Sequence, residues 1–173
     1  MLKKVRRIVT TNDANGRSRI LSDGPSPHVL ESAPQRGLTD LWAMFEGGPD
    51  MTTEDGADRP VVLSPAPGGN TFRFFQLPPR NSEPAGRAHS SEVFAKMGAA
   101  DAHVGDDVNP NMHRTQSIDY IVLLQGRVRL VLDDEETELE PFDVVIQRET
   151  NHAWENIGDE PALMLAVLVD SRG

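Results

Sequence analysis

His113, Thr115 and Asp119 carry polar side chains at odd positions of one segment in the C-terminal third of the chain. In an extended strand, residues two apart share a face, because successive side chains point to opposite sides. If this segment is extended throughout, these three side chains point into one space, and Ile121 and Leu123 follow them on the same face. The spacing therefore predicts a pocket with a polar entrance and an apolar floor.

A second polar group lies in a later segment, where His152, Trp154 and Asn156 also share one parity. We expect Trp154 to line the pocket mainly through packing. Two imidazoles and one carboxylate, on His113, His152 and Asp119, could hold iron, manganese, nickel or zinc, because these metals accept nitrogen and oxygen ligands. Without a metal, the same three residues are the candidate catalytic groups, with the histidines as base and acid and Asp119 tuning one imidazole.

Short strands must position these residues. The 13 prolines and 14 glycines of the 173-residue chain interrupt it often, and no long helical periodicity is present. Short β-rich runs separated by turn residues are typical of an all-β sandwich or barrel. The predicted strands include a hairpin closed by Asn15-Gly16 and the runs 38–45, 61–63, 71–77, 119–124, 127–132 and 162–169.

A chain of this length is expected to form one domain overall. Residues 1–77 should supply strands that pack on the barrel or extend it, and residues 113–170 should supply its core. Residues 78–112 are longer than most connections in compact domains, which predicts either a lid over the pocket or a disordered loop.

Within that long segment, residues 90–97 could form a short helix with Ser90 or Ser91 as its N-cap. The alternative is a mobile surface loop. Three histidines belong to no motif and are expected at the surface, namely His28, His89 and His103. If the segment is a lid, His89 or His103 could close over the pocket.

Composition excludes several classes of protein. The formal net charge is −10, whereas a nucleic-acid-binding protein needs clustered lysines and arginines. No apolar run approaches the roughly 20 residues that span a bilayer, and no signal peptide is recognisable. The chain has no cysteine, which excludes disulfides and thiolate metal sites. We therefore expect a cytoplasmic protein that binds neither nucleic acid nor membranes.

The spacing of the polar residues resembles that of the cupin superfamily. The first cupin motif is His-x-His, three or four residues, Glu, six residues and Gly; here His113-Arg114-Thr115 is followed by Asp119 and Gly126 in the same register. The second motif ends in His, three residues and Asn, which His152 and Asn156 match. The resemblance covers roughly residues 110–170. It implies a jelly-roll barrel, also called a double-stranded β-helix, with an N-terminal strand extension and a helix or loop lid.

The departures from the motif change what the resemblance implies. The family's second metal-binding His is Thr115 here, and its Glu is Asp119, which is one methylene shorter. Only His113, Asp119 and His152 remain as metal ligands by this correspondence. Phe142 stands where the family's Pro-Gly-Asp turn has Gly. The longer pattern resembles a subgroup of small bacterial and fungal cupins of unassigned function.

Three functions from different classes follow. The first is a metal-dependent enzyme acting on a small organic substrate, with the metal polarising a carbonyl or binding dioxygen. The second is a metal-free acid–base enzyme, and the third is a metal-free module that binds a small molecule. Since cupin barrels pair through a sheet, we also expect a homodimer in which the early strands extend or cover a sheet edge.

Overall fold

The computed structural model of the chain describes residues 1–45, 55–82, 87–105 and 109–172. Within these ranges most of the regular secondary structure is β-strand. They are β1 (Arg6–Asn12), β2 (Ser18–Pro25), β3 (Val29–Ala33), β4 (Arg36–Met44), β5 (Asn70–Leu77), β6 (Ser117–Gln125), β7 (Val128–Val131), β8 (Glu136–Leu139), β9 (Val144–Arg148), β10 (Ala153–Asn156) and β11 (Ala162–Asp170). Among the described residues one α-helix, α1 (Arg87–Lys96), precedes a 3-10 helix over Ala100–Ala102.

The strands form two facing antiparallel sheets and a separate hairpin. The large sheet has the order β3-β4-β5-β11-β6-β9, the small sheet has the order β10-β7-β8, and β1 pairs with β2. One core cluster contains residues from both sheets, such as Met164 of β11 and Val128 of β7. This arrangement confirms the predicted all-β jelly-roll class.

Strand β6 shows how the sequence places the site. Its residues alternate in burial, with Ser117, Asp119, Ile121 and Leu123 buried and Tyr120 half-exposed on the opposite face. Because β11 pairs with β6 and β5 pairs with β11, the inward rows of three strands face the small sheet together. The polar residues of β6 therefore enter a hollow whose walls are apolar.

The N-terminal strands join the rest of the fold in two ways. Strands β3 and β4 lie in the large sheet, where β4 pairs with β5. The β1–β2 hairpin turns at Gly16, whose φ of 76° lies in the left-handed region that glycine adopts without strain. The hairpin is anchored by Arg7, which donates hydrogen bonds to the Leu41 carbonyl and to Asp55.

Two predicted elements differ from the structure. Helix α1 begins at Arg87, three residues before the predicted start, so neither Ser90 nor Ser91 is its N-cap. Residues 61–63 form no strand. The carbonyls of Val62 and Leu63 instead accept hydrogen bonds from Arg73, at 2.7 and 2.9 Å. Residues 83–86 and 106–108 of the predicted lid lie outside the described residues.

Arg73 is the largest side chain that is fully buried among the described residues. Its Nη2 atom lies 2.9 Å from Oδ1 of Asp40 and donates a hydrogen bond to Oδ2 at 3.1 Å. Asp40 is on β4 and is itself fully buried. A charge removed from water needs both a counter-ion and hydrogen bonds, and Arg73 obtains them from Asp40 and from residues 62 and 63.

In the part of the chain that the structure describes, neither helix has the length and apolar character needed to cross a bilayer.

We expect Asp40→Ala to lower the free energy of unfolding by about 3–5 kcal/mol, because it leaves the Arg73 charge buried and unpaired. Urea denaturation monitored by tryptophan fluorescence measures this loss. The matched control is Asp159→Ala, which removes the carboxylate of the exposed Arg80–Asp159 pair and should cost at most about 1 kcal/mol. Equal effects of the two substitutions would contradict the role given to the buried pair.

Candidate active site

A small cavity of about 80 Å³ lies between the two sheets and α1. Its lining includes His113, Asp119 and His152 together with Arg73 and Phe94. The rest of the lining is largely apolar and comprises Arg36, Gly37, Leu38, Leu63, Phe75, Gln76, Leu77, Met97, Thr115, Ile121, Trp154, Ala166 and Leu168. The three residues predicted to do chemistry thus border one cavity.

His113 and His152 face each other across a short backbone bridge. The N–H of each residue donates to the carbonyl of the other at 2.9 Å. The two ring centroids are 4.2 Å apart, with the planes inclined by 52°. Neither residue belongs to a long strand, so this local pairing is what holds the two imidazoles together.

A backbone carbonyl fixes the orientation of each ring. Nδ1 of His113 lies 3.0 Å from the Asn111 carbonyl oxygen, and Nδ1 of His152 lies 2.9 Å from the Thr150 carbonyl oxygen. A carbonyl oxygen can only accept, so each Nδ1 must carry the proton and donate it. In the neutral imidazole, Nε2 then bears a lone pair. The pair of rings therefore supplies two basic nitrogens to one cavity.

Burial keeps both imidazoles neutral. Desolvation lowers the pKa of His152 to about 4, against the opposing effect of its hydrogen bond to Thr150. Two effects hold the pKa of His113 well below its usual range. Desolvation is the larger, and repulsion from His152 is the second. Both rings are consequently unprotonated at Nε2 at neutral pH.

Asp119 presents a buried carboxyl group to the same cavity. Its side chain is on the inward face of β6, and within the described ranges its Oδ1 atom has no hydrogen-bond partner. Burial raises the pKa of this carboxyl to about 6, although the Ser117 hydroxyl and the Arg73 charge favour ionisation. The group can therefore gain or lose a proton close to neutral pH.

Some of the other residues predicted to form the pocket line the cavity, and others lie outside it. Thr115, Ile121 and Trp154 line the cavity, whereas Leu123 does not and is packed in the core below it. Asn156 is also elsewhere: its amide donates to the carbonyls of Pro78 and Glu160 and holds a turn.

The donor set tests the predicted metal site. Among the residues that the structure describes, no three histidine, aspartate or glutamate side chains come close enough to hold a metal ion together. Catalytic zinc sites usually have three protein ligands. His113 and His152 supply two nitrogens, and Asp119 does not complete the set. The predicted triad of metal ligands is therefore not assembled in this structure.

Aromatic residues that the sequence did not single out enclose the two imidazoles. Phe94 of α1 lies 4.8 Å from the His113 ring and stacks on His103 at 4.9 Å. On the other side, Trp154 meets His152 edge-on at 5.5 Å. His103, expected at the surface, is partly buried behind Phe94 and bonds to the Pro110 carbonyl at 2.6 Å. Helix α1 thus forms a wall of the cavity.

Arg73 is the most important site residue that sequence reasoning missed. It occupies an inward position in the aromatic run Phe72-Arg73-Phe74-Phe75 of β5. A lone arginine at an inward position of a strand could have predicted a buried ion pair, because long charged side chains are rarely buried without a specific partner.

An outer cleft lies next to the cavity. Arg36 and Trp154 line both spaces, and the cleft is also lined by Ser90 and Val93 of α1 and by Asn156 at the end of β10.

The fold is a jelly-roll barrel whose cavity is bordered by His113, Asp119 and His152. Residues 100–168 match the family model described as the cupin domain. Over these residues the chain is a cupin domain.

Two curated relatives carry the name cupin-domain-containing oxidoreductase. The protein from Aspergillus ruber is 29% identical over 173 residues, which cover 98% of this chain and 74% of the relative. The protein from Hypocrea virens is 32% identical over 97 residues, which cover 54% of this chain and 47% of the relative. The matched part of this chain thus spans less than half the length of the second relative.

Among solved structures, the cupin domain of Cnp3 from Schizosaccharomyces pombe is similar to this chain with a TM-score of 0.50 and 11% sequence identity. The similarity covers 97% of this chain and 89% of that one. At this level of identity the likeness shows the fold alone.

We expect Asp119→Asn to stabilise the protein at pH 8 by about 1–3 kcal/mol, since one pKa unit corresponds to about 1.4 kcal/mol. The raised pKa of Asp119 means that its protonated form is favoured by folding. The stability that this form contributes is lost as pH rises from about 4 to about 6. The variant lacks this loss, so its advantage should shrink as pH falls from 8 to 5.

Thermal unfolding of both proteins across this pH range measures the difference. Asp134→Asn, which changes an exposed carboxylate in the β7–β8 turn, is the matched control and should have the same stability as the wild type throughout. An Asp119→Asn variant that is less stable than the wild type at pH 8 would show that the buried carboxylate is compensated.

Proposed function

We propose that this cupin is an enzyme that moves a proton to and from a small, largely apolar organic substrate, and that this step needs no metal. The proposal depends on one observation. The Nδ1 atoms of His113 and His152 are both engaged by backbone carbonyls, so both Nε2 atoms are available as bases in one buried cavity.

Each residue has a separate role in this proposal. An unprotonated imidazole Nε2 removes a proton from the substrate. Asp119 supplies or accepts the second proton, because its pKa of about 6 is suited to acid–base catalysis near neutral pH. The apolar walls exclude water and so strengthen each electrostatic interaction with the reacting atoms.

A role in catalysis fits this cavity better than a role in binding alone. A binding pocket needs a few fixed polar groups in an apolar lining. Here three titratable groups with displaced pKa values share one cavity, a pattern that is enriched at catalytic sites. The relatives named as oxidoreductases also favour an enzyme. Removing a proton from a hydroxyl group is one part of oxidising it, so a buried base is compatible with that class of reaction.

A metal-dependent enzyme is the alternative. The two Nε2 lone pairs suit a divalent metal, and donation from Nδ1 to a carbonyl is a common way to orient histidine ligands. His113 and His152 would hold the metal, which would supply Lewis-acid or redox chemistry. This arrangement would have two protein ligands, one fewer than the sequence predicted.

Exchange of carbon-bound hydrogen in D₂O tests the proposal directly. We expect the dialysed, chelator-treated protein to catalyse deuterium incorporation beside the carbonyl group of a panel of small aryl ketones, measured by mass spectrometry. His113→Gln and His152→Gln should each lower the rate by about 10²–10⁴-fold, the usual contribution of general acid–base catalysis. His28→Gln, which makes the same change outside the cavity, should keep the wild-type rate.

Two results would overturn the metal-free proposal. The first is a rate that vanishes on chelation and returns with iron, manganese, nickel or zinc, with the metal lost from a His113→Ala/His152→Ala variant; this would establish the metal-dependent enzyme. The second is exchange with no ketone above the rate of the histidine variants, which would leave a binding module.

We also propose that the protein is a homodimer and that its contact surface is the outer face of β6 and β9. Tyr120 on β6 and Ile146 on β9 are directly paired, and both are half-exposed. Val144 continues this apolar face. Two residues before Val144, Phe142 is 78% exposed and has a φ of 78°. An exposed aromatic residue in a backbone conformation that favours glycine suggests contact with a partner.

We expect Ile146→Glu to convert the dimer to a monomer, because it places a charge on the apolar contact face. Light scattering at micromolar concentration measures the mass. The control Thr137→Glu changes an exposed residue on β8, outside the proposed contact surface, and should leave the dimer intact. A wild-type protein that is monomeric under these conditions would refute the dimer.

A further inference from the structure

The carbonyl oxygen that orients His113 belongs to a tight turn over residues 109–112. A hydrogen bond of 3.2 Å from the N–H of the last residue to the carbonyl of the first closes this turn. The Asn111 N–H donates to Oδ1 of Asn109, also at 3.2 Å. Pro110 is the second residue, where its restricted φ suits a turn. The Asn111 carbonyl, which accepts from Nδ1 of His113 at 3.0 Å, is therefore part of a locally fixed backbone.

Helix α1 holds this turn through a first link from Ser90. The Ser90 hydroxyl donates a hydrogen bond to the side-chain oxygen Oδ1 of Asn111 at 2.8 Å. Ser90 is only 3% exposed, so this bond lies where water does not replace the donor. The residue whose carbonyl contacts His113 is thus anchored to α1 by its own side chain.

A second link runs from the next residue of α1 through His103. Nε2 of His103 lies 2.6 Å from the Pro110 carbonyl oxygen, and Nδ1 lies 3.2 Å from the Ser91 hydroxyl. Because a carbonyl oxygen can only accept, Nε2 carries the proton, and Nδ1 of the neutral ring accepts from Ser91. Two successive serines of α1 therefore reach two successive residues of the 109–112 turn, one directly and one through an imidazole.

Helix α1 also contacts the imidazole of His113 directly. The Phe94 ring centroid lies 4.8 Å from that of His113 and 4.9 Å from that of His103. Phe94 and Met97 both line the cavity. The helix that forms one wall of the cavity is therefore the same element that holds the turn next to His113.

We infer that α1 sets the tautomer of His113 through the 109–112 turn. Ser90, Ser91 and His103 are positioning residues in this arrangement, because they act on the base through the turn. Which nitrogen of a neutral imidazole carries the proton is decided by the hydrogen bonds of the ring. Only the tautomer with the proton on Nδ1 leaves Nε2 able to accept a proton from a substrate. This inference rests on the proposed function, since it names what keeps one of the two proposed bases ready.

His152 offers a comparison within the same cavity. Its Nδ1 donates to the Thr150 carbonyl at 2.9 Å, and that carbonyl also accepts from the Gln147 amide at 3.3 Å. None of these contacts involves α1. Loss of the links from α1 should therefore change the tautomer of His113 and leave that of His152 as it is.

NMR of the ring nitrogens tests this inference in the chelator-treated full chain, because nitrogen-15 shifts distinguish the two tautomers of an imidazole. We expect His113 and His152 of the wild type to carry the proton on Nδ1. Ser90→Ala/Ser91→Ala removes both hydroxyl groups that link α1 to the turn, and alanine is the better helix former, so the helix itself is not weakened. This variant should move His113 towards the Nε2–H form and leave His152 unchanged. The spectra of His113→Gln and His152→Gln identify the two rings.

The same double variant should slow deuterium exchange by about tenfold to 100-fold, the usual effect of losing groups that orient a reacting side chain. The KM for the ketone should stay within about twofold of the wild type, because the serines act on the base and not on substrate binding. The matched control is Ser82→Ala, which removes a hydroxyl that donates to the Pro79 carbonyl. This control should alter neither the His113 tautomer nor the rate.

Three results would overturn the inference. They are a wild-type His113 with its proton on Nε2, a folded double variant whose His113 tautomer is unchanged or whose His152 changes equally, and a changed His113 tautomer with an unchanged exchange rate. Circular dichroism shows whether the double variant is folded. If it is not, Asn111→Ala decides the matter, because it removes the acceptor of Ser90 and leaves α1 intact.

The tautomer and the rate separate this inference from the proposed function. A wild type that catalyses no exchange would refute the proton-transfer enzyme, while the NMR spectra would still show whether α1 sets the tautomer of His113. Exchange that continues at the wild-type rate in the double variant, with the tautomer unchanged, would leave the enzyme and remove only the role of α1.

Discussion

The buried charge of Arg73 is the constraint on which the rest of the structure depends. It neutralises Asp40 on β4, and it gathers the carbonyls of residues 62 and 63 into the wall of the cavity. A guanidinium in this position would be prohibitively costly without such partners. Once it has them, it supplies a fixed positive potential beside Asp119. The same interaction thus joins the N-terminal strands to the barrel and sets the electrostatics of the site.

The site combines opposite effects of burial on groups of opposite charge type. Desolvation disfavours the charged form of every group, so it keeps His113 and His152 unprotonated and raises the pKa of Asp119. Together these shifts produce bases that are ready to accept a proton beside an acid that still holds one at mildly acidic pH. Burial is the largest cause of all three shifts, and repulsion from His152 adds to the shift of His113.

Parity allowed much of this site to be predicted from the sequence. The alternation of polar and apolar side chains in β6 predicts that Asp119 points inward and Tyr120 outward. The family motif predicts that His113 and His152, from distant segments, lie close together. The sequence could not show that Asp119 and the two imidazoles would not come close enough to hold a metal ion together, because that depends on side-chain distances of a few ångströms. The sequence also could not predict that Arg73, Phe94 and His103 lie at or next to the cavity. Their positions depend on packing between elements that no short motif connects.

The loss of the family's second histidine gives a physical reason for the chemistry proposed here. A metal site with fewer protein ligands binds its ion less tightly, whereas two neutral imidazoles in an apolar cavity still act as bases. Thr115, which replaces that histidine, accepts a hydrogen bond from Ser117 at 2.9 Å and so is satisfied within the wall. The two imidazoles, whose Nδ1 atoms are held by backbone carbonyls, therefore remain the proposed bases of the cavity.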